Sequence, residues 1–163
     1  MAKPAPAIQP IELDCADDGI ALQMTRWLAH LRSERRLSPK TLEAYLRDVR
    51  QCLMFLSEHW GARVTLKGFA GLAASDVRAF MAMRRADDIG GRSLMRALAG
   101  LRSFGRFLER EGKGKVGALS AIRAPKVGKT LPKPIQMAAA KRFTDATERA
   151  AQAFHGELND PRT

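Results

Sequence analysis

The chain has 163 residues, enough for one domain with a real core plus a tail or linker. Its hydrophobic content of 45% is ordinary for a globular protein and excludes wholesale disorder. The formal net charge of +11 points to a polyanionic partner: nucleic acid first, an acidic membrane surface or acidic protein second.

The N-terminus, "MAKPAPAIQP", is rich in Pro and Ala and reads as a loose segment through about residue 15. It lacks the apolar core of a signal peptide, and no apolar run in the chain is long enough to span a bilayer. The expectation is a cytoplasmic protein with no membrane partner. From Asp17 the pattern turns helical, with Ile20, Met24, Trp27, Leu28 and Leu31 on one face and an end near Arg35 or Arg36.

The second helix is the best signalled. Ser38 suits its N-cap, Pro39 its first position, and Leu37 with Leu42 the hydrophobic staple. Its stripe runs through Leu42, Tyr45, Leu46, Val49, Cys52, Leu53, Leu56 and Trp60, and Gly61 ends it. Arg63 to Ala74 reads as a connection with little regular structure. Ser75 is expected to cap a third helix containing Val77, Phe80 and Met81, which stops before "DDIGG". A fourth runs from about Arg92 to Glu111, closed by Gly112, with Leu94, Ala97, Leu98, Leu101, Phe104 and Leu108 as its core stripe. No stretch shows sustained strand alternation between turn signals, so the expected architecture is an all-α four-helix bundle. "GKGKVGALSAIRAPKVGKTLPKP" then has the composition of a basic linker, and the remainder reads as a short helical tail too poor in apolar residues for a second core.

The fourth helix carries the sharpest chemical signal. Arg92, Arg96, Arg106 and Arg110 fall within an arc of about 80° on a helical wheel, with Ala99 and Ser103 among them. Glu109 is the only acid between Arg92 and Arg110, and on the wheel it points elsewhere. A solvated face usually mixes signs, because like charges repel along a helix; an acid-free arginine stripe calls for an anionic partner. On the second helix Lys40, Arg47 and Arg50 share their face with Glu43, so that face alone is ambiguous. Its first turn is different: Ser38, Lys40 and Thr41 sit where free amides and the helix dipole favour phosphate, with Arg35 and Arg36 just upstream. Arg84 and Arg85 close the third helix near the turn into the fourth.

Little else is reactive. Tyr45, the only tyrosine, lies on an apolar stripe and reads as a packed aromatic rather than a nucleophile. His30, His59 and His155 lack metal-ligand spacing, and Cys15 and Cys52 read as reduced, buried or incidental thiols. "GKGKVG" follows no strand and is not a phosphate loop. No active site can be assembled, and neither metal nor cofactor is expected.

The stretches "LSPKTLEAYLRDVRQCLMFL", "DVRAFMAMRR" and "RSLMRALAGLRSFGRFLEREG" resemble the N-terminal core-binding domain of Xer-type tyrosine recombinases. "APKVGKTLPKPI" is similar to the family's linker, and "LPKPIQMAAAKRFTD" most resembles the XerC branch; together they cover about Asp18 to Thr144. The resemblance implies a SAM-like domain at 17–122, after a flexible 1–16. A linker at 123–134 and the truncated start of a catalytic domain at 135–163 would follow. Such a domain clamps one face of a duplex recombination half-site while the catalytic domain grips the other. The second and fourth helices approach the major groove. Carried over by position, the contacts are Lys40, Thr41, Arg47, Arg92, Ser93 and Arg96, with Arg36, Arg50, Arg85 and Arg106 as secondary candidates. The first helix, within residues 18–33, would meet partner protomers in the synaptic complex.

Family catalysis needs Arg, Lys and His residues plus a tyrosine that forms a 3′-phosphotyrosyl link, and no such set is found in this chain. Tyr45 does not match the nucleophile. The resemblance therefore implies a DNA-binding half without catalysis of its own, from a parent that resolves chromosome dimers before cell division. The alternatives are a helical interaction module whose basic face meets an acidic protein, and a nucleic-acid binder without site preference.

Overall fold

Apolar residues alternate along Ile11, Leu13 and Cys15, and this pattern anchors the chain before the first helix. A computed structural model describes residues 11–124 and Ala146. In it Leu13 and Ala16 are buried, and the Ile11 amide donates to Thr25 Oγ1 at 3.0 Å. Ala16 forms an isolated parallel bridge with Val64, and the Arg63 guanidinium donates to the Leu13 and Ala16 carbonyls. The loose segment expected through residue 15 is thus corrected from Ile11 onward, because its partners are remote in sequence. The rest of that expectation, residues 1–10, lies outside the described residues, as do most of the linker and the tail.

Six helices follow among the described residues: α1 (Asp18–Ser33), α2 (Pro39–Trp60), α3 (Leu66–Ala70), α4 (Ala74–Ala86), α5 (Gly91–Arg110) and α6 (Gly117–Ala121). All belong to one unit, Met1–Val127. The all-α expectation holds, and its four helices are α1, α2, α4 and α5. Asp17 caps α1 by accepting the Ile20 amide at 2.8 Å. Ser38 caps α2 by accepting the Thr41 amide at 3.3 Å, and Gly61 ends it at a left-handed φ of 66°.

Two short helices occupy stretches that look irregular in sequence. Thr65 starts α3 by accepting the Gly68 amide at 3.0 Å, and Phe69 is fully buried beneath it. A five-residue helix is too short to show a period, so the stretch 63–74 reads as loop. In "GKGKVGALSAI", Val116, Leu119 and Ile122 are buried, and α6 packs on α5. A Cβ at Gly105 would lie 3.1 Å from Leu119 Cδ1, so glycine there permits the close approach. Arg102 then ties α6 down, its Nε donating to the Leu119 carbonyl at 2.8 Å and its Nη2 to the Ile122 carbonyl. Ser75 is also corrected. The N-cap of α4 is Ala73, whose amide donates to Asp76 Oδ2 at 3.1 Å, and Ser75 is exposed inside the helix.

Trp27 is the centre of the core. Its buried ring lies parallel to Tyr45 at 6.2 Å and tilts against Phe104 at 5.2 Å, and Phe104 in turn meets Phe69 at 5.5 Å. These rings join α1, α2, α3 and α5, and each buries area well beyond an aliphatic side chain's. Tyr45 is the packed aromatic expected.

Candidate nucleic-acid interface

The α5 arginine stripe divides into two environments. In its first half Arg92 is exposed and Ser93 half-buried, and Arg96 turns onto α2. Arg96 Nε donates to Asp48 Oδ2 at 2.8 Å and Nη2 to Oδ1 at 3.3 Å. The Asp48 side chain is fully buried, while that of Arg96 keeps 35% exposure. The bond to Asp48 pushes the Arg96 guanidinium further from deprotonation, against the opposing effect of partial burial.

Sequence reasoning missed Asp48 because wheel analysis treats one helix at a time. The stripe is acid-free along α5, but its counter-charge arrives from α2. A signal was present: positions 45, 48, 49 and 52 form one helical face, and a carboxylate on that core face requires a partner.

In the second half, Arg106 and Arg110 line a groove of about 600 Å³ with Trp27, His30, Arg35, Ser103 and Glu109. Ser103 Oγ accepts from Trp27 Nε1 at 3.2 Å. Arg110 Nη2 lies 2.8 Å from His30 Nε2, and His30 Nδ1 lies 2.9 Å from Glu34. A guanidinium can only donate, so in this contact His30 Nε2 is the acceptor. Glu109 corrects the wheel reading: it lines the same groove and reaches Lys115 at 3.7 Å. Wheel angles fix where a Cα bond points, whereas a long side chain reaches across.

On α2, Lys40 and Arg47 are exposed, and the half-buried Thr41 shares a 2.9 Å hydroxyl contact with Ser38. Arg50 lines a depression with Glu12, Asp14 and Glu58, a mixed-charge setting that the structure does not join to the Arg96 side of α2. Arg36, in the turn between α1 and α2, takes a left-handed φ of 48°. Arg85 lines a depression of about 500 Å³ with Arg78 and Arg123, two arginines that sequence reasoning left aside. Arg123 follows α6, so only folding brings it to α4. No helix among the described residues is long and apolar enough to cross a membrane.

Residues 24–112 match the family described as the phage integrase N-terminal SAM-like domain. The chain belongs to that family. The match runs from the middle of α1 to the end of α5, and so contains both halves of the stripe and Asp48. The chain is 77% identical over 146 residues to the tyrosine recombinase XerC of Bradyrhizobium diazoefficiens, covering 90% of this chain and 46% of that protein. It is 74% identical over 138 residues to the XerC of Nitrobacter winogradskyi, covering 85% of this chain and 43% of that protein. Against the XerC of Rhizobium meliloti the identity is 43% over 135 residues, covering 83% and 42% of the two chains. The chain thus spans less than half the length of these relatives. No solved structure matches it. The SAM-like family resemblance read from the second and fourth helices is the one the comparisons show.

Proposed function

We propose that this SAM-like domain is the DNA-gripping half of a XerC-type tyrosine recombinase, spanning 17–122 with a linker at 123–134. One observation carries the reading: α2 and α5, each with exposed basic residues, are joined side by side by the Arg96–Asp48 bond. Two adjacent helices with Lys40 and Arg47 on one and Arg92 on the other suit the phosphates flanking a major groove. Lys40, Thr41, Arg47, Arg92, Ser93 and Arg96 form the contact set, and Arg36, Arg85 and Arg106 extend it. Arg50 is the weakest member, given its acidic neighbours.

In this reading the ligand is a recombination half-site, and the domain performs no catalysis alone. Strand exchange through a 3′-phosphotyrosyl link, without metal or nucleotide, belongs to the whole recombinase acting with partner protomers in the cytoplasm to resolve chromosome dimers. Phosphate contacts dominate the affinity of the isolated half, so binding falls steeply with salt.

Electrophoretic mobility shift on duplex DNA across a salt series tests this. The sequence alone nominates Arg92 and Arg96 for charge reversal. The structure redirects the second choice, since a glutamate at 96 would face the buried Asp48. Arg92→Glu with Arg47→Glu is expected to weaken binding and flatten the salt dependence. A chain that never shifts duplex DNA at low salt is an interaction module, and one that shifts scrambled and palindromic sites alike is a general nucleic-acid binder.

A further inference from the structure

Asp48 is a carboxylate with no access to water, and it is paired with Arg96. Burying a charge is costly unless it is paired and hydrogen-bonded, so the Asp48 site is built around that guanidinium. Of the five N–H groups of an arginine, two are bonded to Asp48, through Nε and one side of Nη2. Three remain, and they include the planar Nη1–Nη2 edge with its two parallel donors. Such an edge matches either a phosphate or the O6 and N7 acceptors of guanine in the major groove.

Two features of the pair favour the base. First, the Arg96–Asp48 pair sums to no net charge, which makes it a poor anchor for a phosphate and leaves its hydrogen-bond donors intact. Second, two bonds to a buried carboxylate hold the plane of the guanidinium. A phosphate, which accepts from many directions, needs no such brace, whereas a base edge does. A side chain held in its bound plane also loses less freedom on binding. Among the described residues, neither Lys40 nor Arg47 has a comparable brace.

We infer that Arg96 is a base-reading residue of this domain, taking the O6/N7 edge of a guanine, and that Asp48 is the positioning residue that aims it. The inference rests on the DNA reading above. It assigns different work to residues of the proposed contact set: Lys40, Arg47 and Arg92 attract the duplex, and Arg96 discriminates within it.

Selection of bound duplexes from a randomised pool by the 163-residue chain supplies the probe. Guanine is expected to be enriched at one position, and replacing that base pair is expected to weaken binding by about ten- to a hundredfold. Replacing the same guanine by 7-deazaguanine, which removes the N7 acceptor, is expected to weaken it as well. The double variant Asp48→Leu with Arg96→Met fills the site with apolar groups and is expected to fold, as buried pairs replaced in this way commonly do. It is expected to bind the selected and the substituted duplex equally. Arg96→Lys keeps the charge and an ion pair for Asp48 but lacks the fork, so it gives the same levelling if the double variant does not fold. Asp48→Asn is expected to shrink the preference for guanine while sparing affinity for the substituted duplex.

Retention of the guanine preference in Arg96→Lys or in the double variant overturns the assignment. So does a uniform loss of affinity for every duplex with a salt slope smaller by about one, which marks a phosphate contact. If the wild-type chain binds duplex but selects no base, this inference alone fails. If it retains no duplex at low salt, the DNA-binding reading fails and the inference with it.

Discussion

The two halves of the α5 arginine stripe look equivalent in sequence and differ in the folded protein. Arg96 is drawn onto α2 by one buried carboxylate that offers nothing to solvent. Arg106 and Arg110 instead border an open groove shared with α1, where His30, Glu34 and Glu109 supply scattered polar contacts. The difference shows that an acid-free helical face is not one functional unit. What each arginine can do depends on the neighbouring helix, and α2 and α1 present very different partners. Arg102 and Arg63 behave likewise, since both donate to backbone carbonyls of other segments. Part of the positive charge therefore holds the fold together, and a charge count alone overstates what is available to a ligand.

Substitutions can break this comparison, beginning with the residue under the second half. Trp27→Ala removes the ring between Tyr45 and Phe104 and strips Ser103 of its donor, and is expected to lower stability by about 3–5 kcal/mol in chemical denaturation. The contrast between the halves is sharpest in a matched pair. Arg96→Ala strands the buried Asp48 and is expected to cost about 3 kcal/mol, whereas Arg106→Ala, at an exposed site, stays within about 0.5 kcal/mol. Equal losses in the two variants would show that the Asp48 pair contributes no more than a surface contact.

The smallest expected effect concerns thiol reactivity on α2 and at the chain's entry. Burial pushes the Cys52 and Cys15 thiols up from their ordinary values. The attacking species is the thiolate, so both are expected to react slowly near pH 8, with Cys52 silent until the bundle unfolds. Cys15, only half-buried, is expected to label first. Alkylation followed by mass spectrometry reads both sites, and early labelling of Cys52 would mean that α2 opens locally.

The long helices were legible because their information is local. Ser38, Pro39 and Gly61 mark the ends of α2 by their own backbone chemistry, and the apolar stripes of α1, α2 and α5 repeat within a few residues. The family resemblance was legible for the same reason, since it lies in contiguous motifs. Short elements were not. The helix α3 has one buried aromatic and α6 one buried leucine, too little for any period to show.

What only the tertiary structure decided is which charges meet. Asp48 and Arg96 are 48 residues apart, and Trp27 and Ser103 are 76 apart. Each residue's place on its own helix follows from sequence. The helix it faces follows from how the elements pack, which is set by the whole core at once. The sequence by itself therefore determined an all-α basic domain of the phage integrase N-terminal SAM-like family. The packing of α2 on α5 set Arg96 of the stripe against Asp48, because a buried carboxylate must be paired wherever its partner comes from.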